Sequence, residues 1–200
     1  MAAGSGRRDL SGEYPRPVRP RRAVPVLALL LATSCGGGDT VTGPAPKAPE
    51  LMRLRSPAFA AGGAIPSRFT CDGAGTSPPL TWTKPPAATR EVALLMEDPD
   101  APSGTFVHWT VYGLAPTTAS IGEGAPPTGA EQGQNSFGKR GYSGPCPPKG
   151  DKPHRYVFSL YALRSTATLD NGAPPGDVRK AIAKAEPLAR GRLIGTFKRG

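Results

Sequence analysis

A chain of 200 residues with 38% hydrophobic content can bury one core and leaves little room for a second. Its 25 basic and 15 acidic side chains give a formal charge of +10, but six of the basic ones fall within the first 22 positions. Residues 36–200 hold nineteen basic and thirteen acidic side chains. That +6 favours anionic ligands and surfaces, while the lack of a basic helix, an RNP signature or finger spacing argues against nucleic-acid reading.

The first element is a leader. Arg16, Arg19, Arg21 and Arg22 precede an apolar run from Ala23 to Thr33, the layout of an export signal. The run is shorter than the roughly 20 residues a permanent membrane helix needs. Ala32-Thr33-Ser34-Cys35 closes it and resembles the bacterial lipobox, in which small residues precede a cysteine that becomes the lipidated N-terminus. Cys35 is then the expected anchor, although Ala32 stands where that pattern prefers leucine and ordinary signal cleavage is the alternative. Gly36 to Glu50, with three glycines followed by Pro44, Pro46 and Pro49, reads as a flexible tether. Residues 1–35 are thus expected as signal, 36–50 as linker and 51–200 as the folded domain.

From Leu51 the pattern changes to short β-like runs between Gly/Pro punctuation, the spacing of a sandwich rather than of βαβ units. Leu51 to Ser56 and Leu80 to Thr83 are short candidates, and Glu91 to Met96 is an apolar run suited to a buried central strand. Thr105 to Leu114 and His154 to Leu163 are the longest, rich in aromatic and β-branched residues. These five are expected to form the main sheet. A helix is expected from Val178 to Ala189, capped by Asp177 and ended or kinked by Pro187, with a last short strand from Arg192 to Lys198.

The chain has two histidines, each beside an aromatic: His108-Trp109 and His154-Arg155-Tyr156. Two proline-dense segments, Glu97-Asp98-Pro99-Asp100-Ala101-Pro102 and Gly144-Pro145-Cys146-Pro147-Pro148, accompany them. Proline at that density fixes φ and restricts the preceding residue, giving the rigid loops a preorganised site needs.

In that order, DPDAP, HW, GPCPP and HRY resemble the motifs of the phosphatidylethanolamine-binding proteins, also called Raf kinase inhibitor proteins, and are closest to the bacterial branch. Ile65-Pro66, Phe69 to Gly73, Ser77 to Leu80 and Trp82 agree as well, so the resemblance covers Leu51 to Gly200. It implies a mostly β fold in which a large antiparallel sheet packs on a smaller one, with one or two short helices near the C-terminus. It also implies a pocket whose matching positions here are Asp98, Asp100, His108, Gly144, Pro145, His154 and Tyr156.

The donors of two imidazoles, a tyrosine hydroxyl and backbone amides suit a phosphate-like anion, with Asp98 orienting and charging a histidine. Affinity is accordingly expected to fall above about pH 7, as imidazoles lose a donor. Arg155 reads as a surface or rim ion-pair residue. Cys71 and Cys146 lie in two family-like loops, and in an exported protein they are expected to form a disulfide contributing roughly 4 kcal/mol.

The leading function is a non-catalytic binder of a phosphate or phospholipid head group in the cell envelope, with no cofactor or metal and with the membrane reached through the lipid anchor. A homodimer is compatible with the resemblance. One alternative is a regulator of an envelope protease or other protein partner; another is a small hydrolase using His108 and His154. No G-x-S-x-G elbow, P-loop or metal-ligand spacing supports catalysis.

Overall fold

A computed structural model describes Met1 and residues 40–126 and 128–200. The signal peptide, Cys35 and the first residues of the tether lie outside the described residues. Among the described residues, eight strands and one α-helix follow in chain order: β1 (Leu54–Arg55), β2 (Leu80–Trp82), β3 (Glu91–Asp98), β4 (Phe106–Leu114), β5 (Ser120–Ile121), β6 (Glu131–Gln132), β7 (His154–Leu163), α1 (Pro175–Lys184) and β8 (Pro187–Phe197).

Every described pairing between named strands is antiparallel. A five-stranded sheet has the order β6-β4-β3-β7-β8, and a three-stranded sheet has the order β1-β2-β5. The expected single sheet of five early strands is therefore corrected: β1 and β2 belong to the smaller sheet, and β8 and β6 complete the larger one. Locally the short strands look alike, and only their long-range partners assign them.

Strand β3 is buried along its whole length, which is why it reads as a continuous apolar run. Its side chains alternate between two cores. Val92, Leu94 and Met96 join Trp109, Val111, Phe158 and Leu160 against Leu54, Leu80, Trp82 and Ile121 of the small sheet. Ala93 and Leu95 join Tyr112, Tyr161 and Leu163 against Val178, Ile182 and Ala185 around the helix. Fully burying each large aliphatic side chain stabilises the fold by about 1.5–3 kcal/mol.

The helix differs from its expected bounds at both ends. It starts at Pro175, whose fixed φ suits the first helical position, so Asp177 lies inside the first turn and makes no capping bond. It stops at Lys184, because Glu186 adopts a left-handed conformation (φ 54°) that turns the chain directly into β8. Strand β8 then pairs with β7 from Leu163–Pro187 to His154–Phe197, eleven residues rather than the expected seven. Pro187 is tolerated because β8 is a sheet edge.

Residues 40–50, expected to be a tether outside the fold, lie along the domain. Arg190 N–H donates to Pro49 O at 2.7 Å, and the Tyr161 hydroxyl donates to the carbonyl of buried Pro46 at 3.1 Å.

Glu186 adopts a backbone conformation that L side chains reach only at a cost, and its partner Arg164 is a largely exposed ion pair worth little. Glu186→Gly is expected to raise unfolding free energy by up to about 1 kcal/mol, read from urea denaturation.

Candidate functional site

The strand alternation that builds the cores also selects the site. Asp98 follows Met96 by two residues, and Tyr156 and His154 precede Phe158 by two and four, so all three face the small-sheet side of the large sheet. His108 needs an extra device. The β3–β4 register steps from Met96–Trp109 to Glu97–Val107, which leaves His108 as one surplus residue in β4. Such a bulge re-aims a side chain that strict alternation would send elsewhere. The His108 ring consequently packs on Phe106, with centroids 4.9 Å apart, and on Tyr156 at 5.2 Å.

The two imidazoles line one cavity of about 250 Å³, together with Asp98, Phe106, Phe137 and the proline-rich segments. Phe137 is 51% exposed, an apolar side chain at the cavity's edge. The volume is below the roughly 300–1,000 Å³ of pockets for drug-sized ligands.

The rings are held differently. His108 Nδ1 lies 2.8 Å from Ser143 O, which can only accept, so the Nδ1–H donates and Nε2 carries a lone pair when the ring is neutral. Burial holds the His108 pKa below its ordinary value, against the raising effects of the Ser143 carbonyl and the Asp98 charge. His154 has Nδ1 2.8 Å from Asp98 Oδ2 and Nε2 3.2 Å from Asp151 Oδ2. Burial opposes its charge too, but these two carboxylates outweigh it and raise its pKa. One histidine is thus biased to imidazole, its neighbour to imidazolium.

Of the seven expected positions, Asp98, His108 and His154 line the cavity, and Asp100, Gly144, Pro145 and Tyr156 do not. Asp100 accepts both arms of the Arg155 guanidinium, at 2.9 and 2.7 Å, and that bond lowers its pKa to about 2. Arg155 is the surface or rim ion-pair residue expected. Gly144 packs on backbone: a Cβ there would sit 2.6 Å from Phe69 O, so only glycine fits. Pro145 O accepts from Cys71 N–H at 3.0 Å. The Tyr156 hydroxyl is buried without a well-formed hydrogen bond among the described residues, and burial followed by the nearby Asp98 charge raises its pKa.

Cys71 and Cys146 are joined by a disulfide, with Cα atoms 5.3 Å apart. The bridge ties the GPCPP loop to the loop after Phe69, whose carbonyl also accepts from Tyr142. Sequence reasoning missed Asp151, which lies only three residues before His154, and it missed the bulge and Thr40 on the cavity wall. Among the described residues no three His, Cys, Asp or Glu side chains gather as a metal site.

Residues 55–198 match the family model described as phosphatidylethanolamine-binding protein. "Putative lipoprotein LppC" of Mycobacterium tuberculosis is 42% identical over 189 residues, covering 86% of this chain and 92% of that protein. A UPF0098 protein of Methanothermobacter thermautotrophicus is 43% identical, covering 74% of this chain and 100% of its own length. The crystal structure of Escherichia coli YbcL, described as a new member of the mammalian PEBP family, superposes with a TM-score of 0.69 at 32% identity, covering 74% of this chain and 98% of that one.

The two imidazoles should titrate on opposite sides of the ordinary value near 6.5 in NMR pH series. Pairing of His154 stabilises the fold fully below about pH 6.5, and the contribution is lost as pH rises through the raised folded value. Asp98→Asn removes the buried charge and should lower the His154 midpoint; an unchanged midpoint would mean that Asp98 does not hold the proton there.

Proposed function

The chain belongs to the phosphatidylethanolamine-binding protein family, and we propose that it binds a small phosphate-like anion in the cavity shared by His108 and His154, as an envelope lipoprotein anchored through Cys35. The observation that carries this reading is the convergence of both imidazoles on one small cavity. The phospholipid head group in the family's name supplies the chemistry, and the positive balance of residues 36–200 favours such a guest.

The neutral His108 ring turns an Nε2 lone pair toward its surroundings, so a fully ionised oxygen is repelled there. Binding therefore takes up a proton, either on His108 or on the phosphate oxygen that meets it. A bound anion favours imidazolium and adds an N–H donor at the moment it is needed. The bonds of both His154 nitrogens to carboxylates leave no free lone pair there for a base. The anion takes its N–H donor from His108, or from His154 Nε2 by displacing the exposed Asp151 carboxylate. The anchor reading is supported by the leader sequence and by the lipoprotein name of the mycobacterial relative.

With one proton taken up, affinity for inorganic phosphate or phosphoethanolamine should fall by up to about tenfold per pH unit at alkaline pH. Isothermal titration at several pH values reads this, and a flat profile would remove the protonated-imidazole account. His108→Phe, which keeps a ring but no donor, should weaken binding at least about tenfold while the fold persists. For the anchor, Cys35→Ser should move the protein from the membrane fraction to the soluble fraction of its host.

A further inference from the structure

Residues 40–50 are laid on the domain by bonds that a tether would not need. At the cavity end, the Thr40 hydroxyl donates to Ser103 O at 3.0 Å and Val41 N–H donates to Thr105 O at 3.0 Å, forming an isolated bridge to the segment that leads into β4. Thr40 lines the imidazole cavity itself.

Two residues on, the strap meets a buried ion pair. Arg179 of α1 donates to Thr42 O at 3.3 Å and to Gly43 O at 3.0 Å, while its Nε lies 3.2 Å from Glu97 Oε1. Both partners are over nine-tenths buried. Taking two charges out of water costs several kcal/mol per ion, so the pair is a poor way to add stability. It is an effective way to hold one backbone segment in one place, because each terminal nitrogen of Arg179 donates to a strap carbonyl. Glu97 is the residue before Asp98, and alternation sends the two carboxylates to opposite faces of β3. The clasp therefore sits directly behind the site.

We propose that residues 40–43 belong to the binding site: Thr40 closes one wall of the anion cavity, and Arg179 is the positioning residue that holds it there. This rests on the ligand reading above only for the nature of the guest. Thr40 shares the cavity wall with His108, whose other neighbours are Phe106, Phe137, Tyr156, Asp98, the Asp151-capped His154 and the Ser143–Gly144 backbone. Losing the strap admits water to the ring.

The test uses the full chain with R179M/E97Q, which removes both buried charges together and leaves neither unpaired. Val41→Pro is the second variant; it deletes the Thr105 bond without touching the core. Amide exchange reports strap release, NMR titration reports His108, and calorimetry with inorganic phosphate reports the cavity. In R179M/E97Q the Val41 amide should exchange faster, and in both variants the His108 midpoint should rise toward its ordinary value near 6.5. Phosphate affinity should fall at least about fivefold. Unchanged exchange in R179M/E97Q, or faster exchange with an unmoved His108 midpoint, would overturn the proposal. Absence of phosphate binding by the unaltered chain would instead defeat the ligand reading, and the His108 titration would still decide the strap.

Discussion

A histidine bonded through both ring nitrogens to carboxylate oxygens keeps its charge only as long as those oxygens stay in place, and the architecture around His154 exists to keep them there. Asp98 sits at the end of a strand buried on both faces, where its other oxygen accepts from the Asp100 amide at 2.8 Å. Asp100 in turn is clamped by Arg155, the residue after His154. The proline-dense loop thus closes a short cycle between the ends of β3 and β7, and neither end can shift without breaking a charge-assisted bond.

The second imidazole is set by burial and a bulge. His108 is also buried, but its nearest acceptor is the neutral Ser143 carbonyl, so desolvation is the larger effect and lowers the ring's pKa. Unequal partners therefore bias one ring toward imidazolium and the other toward imidazole in a single cavity. A site with two permanent imidazolium charges would carry mutual repulsion while empty. On the proposed reading, the second charge would arise only with an anion present to balance it, and ligand and proton would then be coupled.

Much of this was legible in the chain. Glu91 to Met96, Thr105 to Leu114 and His154 to Leu163 announce central strands through composition, and the motifs that carry the family resemblance include all three residues that line the cavity as expected. What the sequence hid has physical causes. Leu54–Arg55 and Leu80–Trp82 carry no local mark of which sheet they join, since that depends on β5, a strand of two residues. The bulge at His108 is a register step between two strands and appears in neither alone. Glu186 gives no hint of a left-handed turn, a role more often filled by glycine. Gly144 and Pro145 looked like anion-facing backbone, yet their tight packing on Phe69 and Cys71 serves the loop's foundation.

The strap shows why composition misleads at such places. Glycine and proline between residues 36 and 50 signal a tether, because few side chains there could pack. The contacts that dock residues 42, 43, 46 and 49 use their main-chain carbonyls, which every residue possesses and no composition records. The donors come from Arg179, Tyr161 and Arg190, side chains and backbone more than 110 positions later in the chain. A segment poor in side chains is well suited to this, since its carbonyls reach buried donors without steric obstruction. Residues 40–50, which read as a tether, are thereby held in part by buried Arg179 beside the imidazole cavity.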